Sequence, residues 1–236
     1  MPPIFISRAR RPALTHSVGG LLLVSAIDLA LFFLVYLVAV RLSRATIRQL
    51  YLQWTSGWWT VPLGAVFSVA IRLVTAGIVV VIAFTLLVTH AATPAQMSSL
   101  TRSHSPNFDV LVDSRAMHPG NAYYWLTITL ISFVSAGLRE ELWRGGTLAA
   151  LRELFPGAFG SRQGQALAIA LIAIVFGAGH IAMGLYAAII AGLLGLMLGL
   201  MTVWYQSIWP AVFAHGFIDA TSFALMPFVL DRLQGS

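Results

Sequence analysis

Six long apolar stretches constrain the fold of this chain more than any other feature of its sequence. Each is long enough to cross a bilayer, which takes roughly 20 residues of α-helix. With 58% apolar and only 9% charged residues, the composition lies far outside that of a soluble domain. We therefore predict an all-α, polytopic transmembrane helical bundle of about six spans, with seven or eight if the third stretch or its flanks split. The stretches are Val18 to Val40, Pro62 to Val88, Ala122 to Ala150, Gln165 to Gly184, Leu185 to Trp204 and Ile208 to Leu230.

The first apolar stretch is read as a retained span because it contains Asp28 and is not followed by a small-residue cleavage signal. Basic residues flank it on both sides, so the positive-inside rule leaves the orientation open. These arginines account for most of the net charge of +6. We expect them to contact anionic membrane lipid, and we expect no nucleic acid partner. They are Arg8, Arg10, Arg11, Arg41, Arg44 and Arg48.

Polar segments predict how the chain is organised. Arg41, Arg44 and Arg48 at helical spacing, followed by three tryptophans, predict an amphipathic helix in the headgroup zone. Residues 89–121 form the one long polar stretch. We therefore divide the chain into an N-terminal two-span region (1–92), a polar loop (93–120) and a helical core (121–236). A stripe of small residues on the fifth span predicts close helix packing; it comprises Ala188, Gly192, Gly195 and Gly199.

Charged residues inside the apolar stretches indicate a functional site. A charge at mid-bilayer depth costs roughly 2.5 to 3.5 kcal/mol on the biological insertion scale, so several charges persist only if they pair. Glu140 and Arg144 share a helix face, whereas Glu141 points about 100° away from Glu140. The alternative to a functional site is a structural interpretation, in which Glu140 and Arg144 form an internal ion pair that lets a helix end lie in the membrane. The remaining polar groups in these stretches are Asp28, Arg72, His180, His215 and Asp219.

Each of these groups also has a purely structural interpretation. A single buried histidine such as His180 is more often a hydrogen-bonded core residue, and His215 with Asp219 fits a hydrogen bond along one helix face. We expect Asp28 and Arg72 to form an ion pair between two spans. Together, however, carboxylates and histidines on three spans can position and deprotonate water and stabilise an oxyanion. They can equally bind a divalent metal such as zinc, and the spacing leaves this choice open.

Three motifs follow one another along the chain. They are Glu140-Glu141 with Arg144, Phe176 with His180, and Trp209-Pro210 with His215 and Asp219. In this order they resemble the CPBP family of intramembrane proteases, which includes the CAAX prenyl proteases and the bacteriocin-processing (Abi) proteins. The resemblance covers roughly residues 123–228.

The resemblance implies a role for each matched residue. The first glutamate and the histidine of the second motif activate water in that family, which implies Glu140 and His180 here. The third motif stabilises the oxyanion, which implies His215 with Asp219. Glu141 and Arg144 then support the first motif, and Phe176 supports the second.

The first motif departs from the family pattern. The family has three residues between the second glutamate and the arginine, whereas only Leu142 and Trp143 separate Glu141 from Arg144. If Arg144 fixes the alignment, Arg139 takes the first glutamate position; if the glutamate pair fixes it, Glu140 does. Because Glu140 faces Arg144 on a helix either way, we assign the base to Glu140 and keep Glu141 as the alternate.

The combined prediction is an intramembrane glutamic endopeptidase that uses a Glu/His-activated water on a peptide or protein substrate, with or without a lipid modification. We expect no cofactor, and zinc is the open alternative. A serine mechanism through Ser132 or Ser135 is disfavoured because neither serine is placed beside a base. The absence of cysteine excludes a thiol nucleophile and disulfides. The all-arginine basic residues favour a prokaryotic cytoplasmic membrane. The alternatives are a non-catalytic peptide-binding or immunity protein, and a transporter or proton relay.

Overall fold

A computed structural model describes residues 17–55, 57–103 and 110–234, with only the backbone of 100–103 and 229–234. The arginines predicted to flank the first span on its N-terminal side lie outside these residues. The described residues form helices joined by turns and loops and include no strand. The helices are α1 (Val18–Ser43), α2 (Thr60–Val88), α3 (Pro94–Ser103), α4 (Ala122–Leu126), α5 (Arg139–Leu154), α6 (Pro156–Phe159), α7 (Arg162–Gly179), α8 (Leu185–Tyr205) and α9 (Trp209–Gln234).

The predicted all-α membrane bundle is confirmed. Five described segments are long and apolar enough to cross a bilayer: Val18–Ser43, Gly57–Val88, Arg162–Gly179, Leu185–Tyr205 and Trp209–Phe228. The remaining predicted span is one continuous helical run that begins with α4 and ends with α5. Its charged residues lie in the second half of that run, where α5 begins.

A π-helix, Thr127–Leu138, connects α4 to α5. A π-helix is wound more widely than an α-helix, with hydrogen bonds between residues five apart. The Ser132 side chain has the same spacing, since its hydroxyl donates to the Thr127 carbonyl at 2.8 Å. Such segments are rare and often occur at functional sites. Because the π-helix directly precedes α5, its winding determines the directions in which the Glu140 and Glu141 side chains point from the helix axis.

Glycines let α9 approach the π-helix closely. A Cβ on Gly137 would lie 2.8 Å from the Val212 carbonyl oxygen, and one on Gly216 would meet the Phe133 ring. Contacts under 3 Å are not tolerated, so larger residues at these positions would push the two segments apart. This close approach brings the start of α5 against the middle of α9.

The predicted small-residue packing of α8 is also confirmed. A Cβ on Gly177 of α7 would lie 2.6 Å from the Ala188 carbonyl oxygen and 3.1 Å from the Gly192 Cα. A Cβ on Gly195 would lie 3.0 Å from the Phe176 ring. Because α8 carries no bulk at these positions, it packs directly against the face of α7 that bears Phe176.

The prediction of an amphipathic helix over residues 41–60 is wrong. α1 continues to Ser43 and ends where Arg44 adopts a left-handed conformation (φ 54°). The following segment folds back against the bundle, where Tyr51 is fully buried and its carbonyl accepts the Ile208 N–H at 2.9 Å. The Trp209 indole N–H donates to the Leu52 carbonyl at 3.0 Å. These tertiary contacts with the start of α9 outweigh the helical spacing of the arginines.

Candidate active site

Polar side chains from three helices surround one cavity of about 380 Å³. Glu140 comes from the first turn of α5, and His180 is the C-cap residue that directly follows α7. His215 and Asp219 come from α9 and are one helical turn apart. Of the five residues predicted to be catalytic, these four line the cavity, and the fifth, Glu141, lies behind it.

Glu141 links two other polar groups, Arg144 and His215, inside the protein core. Its side chain has no exposed surface and forms an ion pair with Arg144, whose side chain is 2% exposed. The same carboxylate oxygen accepts a hydrogen bond from His215 Nδ1 at 3.0 Å. Because a carboxylate can only accept, Nδ1 carries the proton, which fixes the tautomer of His215 in its neutral form.

The ion pair between Glu140 and Arg144, the structural alternative considered from the sequence, does not form. Arg144 pairs with Glu141, three residues away, instead of Glu140, four residues away. Both spacings place side chains on one helix face, so the spacing could not distinguish them. Burial decides the outcome, because Arg144 lies in the core with Glu141 whereas Glu140 turns toward the cavity.

The two carboxylate oxygens of Glu140 have different neighbours. Oε1 lies 3.1 Å from Arg139 Nη2. Oε2 lies 3.7 Å from His215 Nε2, which is beyond hydrogen-bond distance. With its side chain 19% exposed, Glu140 is the more accessible member of the glutamate pair.

His180 is oriented by the backbone of its own helix. Its Nδ1 lies 2.8 Å from the Phe176 carbonyl oxygen. A carbonyl only accepts, so this nitrogen is the donor and the neutral ring keeps its lone pair on Nε2. The second motif therefore presents a hydrogen-bond acceptor from a ring that lines the same cavity as Glu140.

Phe176 is the packing centre of the site. Its ring centroid lies 4.7 Å from that of His180 and 6.1 Å from that of His215. The Arg144 guanidinium carbon lies 4.8 Å from the same centroid, a cation–π distance. One aromatic ring thus contacts both histidines and the buried arginine, which explains a supporting position four residues before His180.

Asp219 does not fix the proton position of His215, because Glu141 occupies the Nδ1 side. The Asp219 Oδ2 atom lies 3.8 Å from His215 Nε2, on the same side of the ring as Glu140. Nε2 therefore faces two carboxylates at the cavity wall, neither within hydrogen-bond distance.

The expectation that Asp28 and Arg72 form an ion pair is wrong. Asp28 of α1 pairs instead with Arg139, the residue before Glu140. Arg72 of α2 donates to the Ile218 carbonyl and to Ser222 Oγ, on either side of Asp219. Both groups therefore reach the site from the first two spans. The signal was present in the sequence as charges inside apolar stretches, but spacing alone did not identify their partners.

The serines near the glutamates have no base beside them. Ser132 Oγ donates to a backbone carbonyl within the π-helix. Ser135 Oγ is buried at the cavity and has no hydrogen-bond partner among the described residues. Within the same residues, no group of three or more histidine or acidic side chains is arranged to hold a metal ion.

Residues 121–221 match a family model described as Rce1-like, type II CAAX prenyl endopeptidase Rce1-like. The match confirms the family resemblance seen in the three motifs. It spans less than half of the 236 residues and contains every predicted catalytic residue, while Asp28 and Arg72 lie outside it. No curated protein and no solved structure matches the chain. The apolar helices support an integral membrane protein, and residues 121–221 of it are similar to the CAAX prenyl endopeptidase family.

Proposed function

We propose that this protein is an intramembrane endopeptidase that hydrolyses a peptide bond with a water molecule activated by Glu140 and His180. The observation that carries the proposal is the convergence of Glu140, His180, His215 and Asp219, from three helices, on one cavity. The substrate is a membrane-associated peptide or protein, with or without a lipid modification. The membrane is the cytoplasmic membrane of a prokaryote.

Glu140 is the general base in this mechanism. Its Oε2 is directed away from Arg139 and is free to take a proton from water. The Nε2 lone pair of His180 accepts the second hydrogen of the same water and orients it. The water oxygen attacks the scissile carbonyl carbon, one proton passes to Glu140, and the carbonyl oxygen becomes an oxyanion.

His215 stabilises that oxyanion. His215 acts in its imidazolium form, in which Nε2 also carries a proton and donates to the negative oxygen, while the Nδ1 hydrogen bond to buried Glu141 keeps the ring from turning. Asp219, whose Oδ2 lies 3.8 Å from Nε2, borders the ring on that side and helps to hold its position. As the tetrahedral intermediate collapses, the C–N bond breaks and Glu140 returns its proton to the leaving nitrogen.

Removing the His215 ring tests the oxyanion assignment. We expect His215→Ala to lower kcat by about 10² to 10³ while KM stays near its original value, because the donor acts mainly in the transition state. Steady-state kinetics on a cleavable peptide in lipid measure both constants. His118→Ala is the matched control, since His118 is an exposed loop histidine outside the cavity and should not affect either constant.

Asp219 variants distinguish an orienting role from a required charge. Asp219→Asn should retain much of the activity, and Asp219→Ala should lose more. Equal inactivity of the two variants would contradict the assignment, because it would show that the negative charge itself is essential.

A lateral groove of about 670 Å³ supports access from the bilayer. It lies between α1 on one side and α5 with α7 on the other, and it meets the site cavity at Arg139, Glu140, Phe176 and His180. Its remaining lining residues are Asp28, Leu31, Phe32, Val35, Trp143, Val175 and Gly179. An apolar opening of this kind suits a substrate that arrives within the membrane.

Filling the lateral groove should impair cleavage of membrane substrates selectively. We expect Leu31→Trp to raise KM for a membrane-anchored peptide, while cleavage of a short soluble peptide continues at the original rate. Leu34→Trp is the matched control, because Leu34 lies on the same helix, is 62% exposed against 59% for Leu31, and lines neither the groove nor the cavity. Equal effects of the two substitutions on the anchored peptide would argue against this entry route.

The function itself is tested by purified protein in liposomes with a peptide library. Cleavage by the wild-type chain, detected by mass spectrometry of the products, is the expected result. Absence of cleavage with retained peptide binding would favour a non-catalytic binding protein. A chelator in the same assay tests the zinc alternative, since activity lost on chelation and restored by zinc would contradict direct water activation.

A further inference from the structure

We infer that Asp28 is a positioning residue, which holds Arg139 and through it the carboxylate of Glu140. This inference rests on the proposed function, in which Glu140 is the base. It extends the site beyond the family-matched residues 121–221, because Asp28 belongs to α1.

The three side chains form a continuous chain of ion pairs. Arg139 bonds Asp28 through Nη1 and lies 3.1 Å from Glu140 Oε1 through Nη2. The guanidinium is planar and rigid, so fixing one of its nitrogens fixes the direction of the other. Asp28 thereby determines where Nη2 meets Glu140.

This arrangement separates the roles of the two oxygens of Glu140. Oε1 is held by Arg139, and Oε2 is left facing His215 and the cavity. A general base must present one oxygen to water in a defined direction, and a small misplacement of a catalytic group can cost about 10²-fold in rate. Without its anchor on α1, Arg139 can shift toward Glu140 and change the direction in which it holds the carboxylate.

The location of the pair explains why Arg139 needs its own counterion. Asp28 and Arg139 both line the apolar lateral groove. In total, 47% of the Asp28 side chain and 27% of the Arg139 side chain are exposed. An unpaired arginine facing hydrocarbon is unfavourable, and it would draw fully onto the nearest carboxylate, which is Glu140. Asp28 shares the positive charge and leaves Glu140 available as a base.

A double-mutant cycle tests this inference in the full-length protein in liposomes. Asp28→Asn keeps the side-chain shape and removes the charge; we expect kcat to fall roughly 10-fold with unchanged KM and unchanged thermal unfolding. Arg139→Gln should lower kcat similarly. The double variant Asp28→Asn/Arg139→Gln should lose no more than Arg139→Gln alone, because Asp28 acts only through Arg139.

Two further variants separate positioning from a general charge effect. Asp28→Glu restores a carboxylate on α1 and should recover most of the activity. Glu153→Gln removes an exposed carboxylate from α5 at a position that lines neither the cavity nor the lateral groove, and it should leave kcat unchanged.

Each remaining outcome overturns the inference in an identifiable way. Wild-type kcat in Asp28→Asn, with Glu140→Gln inactive, would overturn the role of Asp28 and leave the proposed function standing. A change in KM or in the unfolding temperature without a change in kcat would show a purely structural ion pair. A wild-type chain that does not cleave any peptide would overturn both proposals.

Discussion

Glu140→Gln is expected to reduce peptide cleavage by a factor of about 10² to 10⁴, the range found for positioned general bases. Glutamine fills the same volume and can still contact Arg139, but its amide cannot take a proton from water. The side chain borders the cavity and is not enclosed in the core, so thermal unfolding should stay unchanged. Single-turnover cleavage in liposomes and unfolding in detergent measure the two expectations.

The alternate carboxylate is the control for this prediction. A glutamine at position 141 keeps an oxygen that can accept the His215 Nδ1 hydrogen bond, so folded Glu141→Gln should be much more active than Glu140→Gln. Ser135→Ala should also stay active, because the mechanism uses water and no serine nucleophile. An inactive Ser135→Ala variant, or an active Glu140→Gln variant, would contradict the water mechanism.

The helical membrane fold could be predicted from the sequence because it depends on local properties. A long apolar run in a bilayer has few alternatives to a helix, so α1, α2 and α7 to α9 begin and end within several residues of the predicted positions. The interfacial segment around Tyr51 was mispredicted, since its conformation depends on contacts with Ile208 and Trp209 in a distant part of the chain.

The set of candidate site residues could also be identified from the sequence, but their pairing could not. Chemistry and motif order selected Glu140, His180, His215 and Asp219, which do line one cavity. The partner of Arg144 depended on helix phase, which the π-helix before α5 alters and which spacing does not reveal.

The partners of Asp28 and Arg72 depended on which helices are neighbours. A sequence shows that two opposite charges lie in the first two spans, and pairing them is the simplest solution. The bundle instead directs Asp28 to α5 and Arg72 to α9, so each charge is balanced in the site region. Helix adjacency is a tertiary property, and no local pattern in either span encodes it.

The largest expected loss of stability is that of Glu141→Gln. This substitution leaves the Arg144 charge in the core, where its Nε and Nη2 atoms have no hydrogen-bond partner among the described residues. Removing one member of a buried ion pair typically costs about 3 to 5 kcal/mol in the free energy of unfolding. Reversible unfolding in mixed micelles measures the loss, and Glu153→Gln, which removes an exposed carboxylate of the same helix, is the matched control.

Removing the second charge should reverse much of this loss. In Glu141→Gln/Arg144→Met no buried charge is left unpaired, and an apolar side chain can pack against Phe176 in place of the guanidinium. We therefore expect the double variant to be more stable than Glu141→Gln alone. Two results would show that Glu141 does not stabilise the core by neutralising Arg144. One is a wild-type free energy of unfolding for Glu141→Gln, and the other is a double variant that is less stable than Glu141→Gln alone. The buried carboxylate of Glu141 would then serve mainly to orient His215, a role that the glutamine oxygen can also fill.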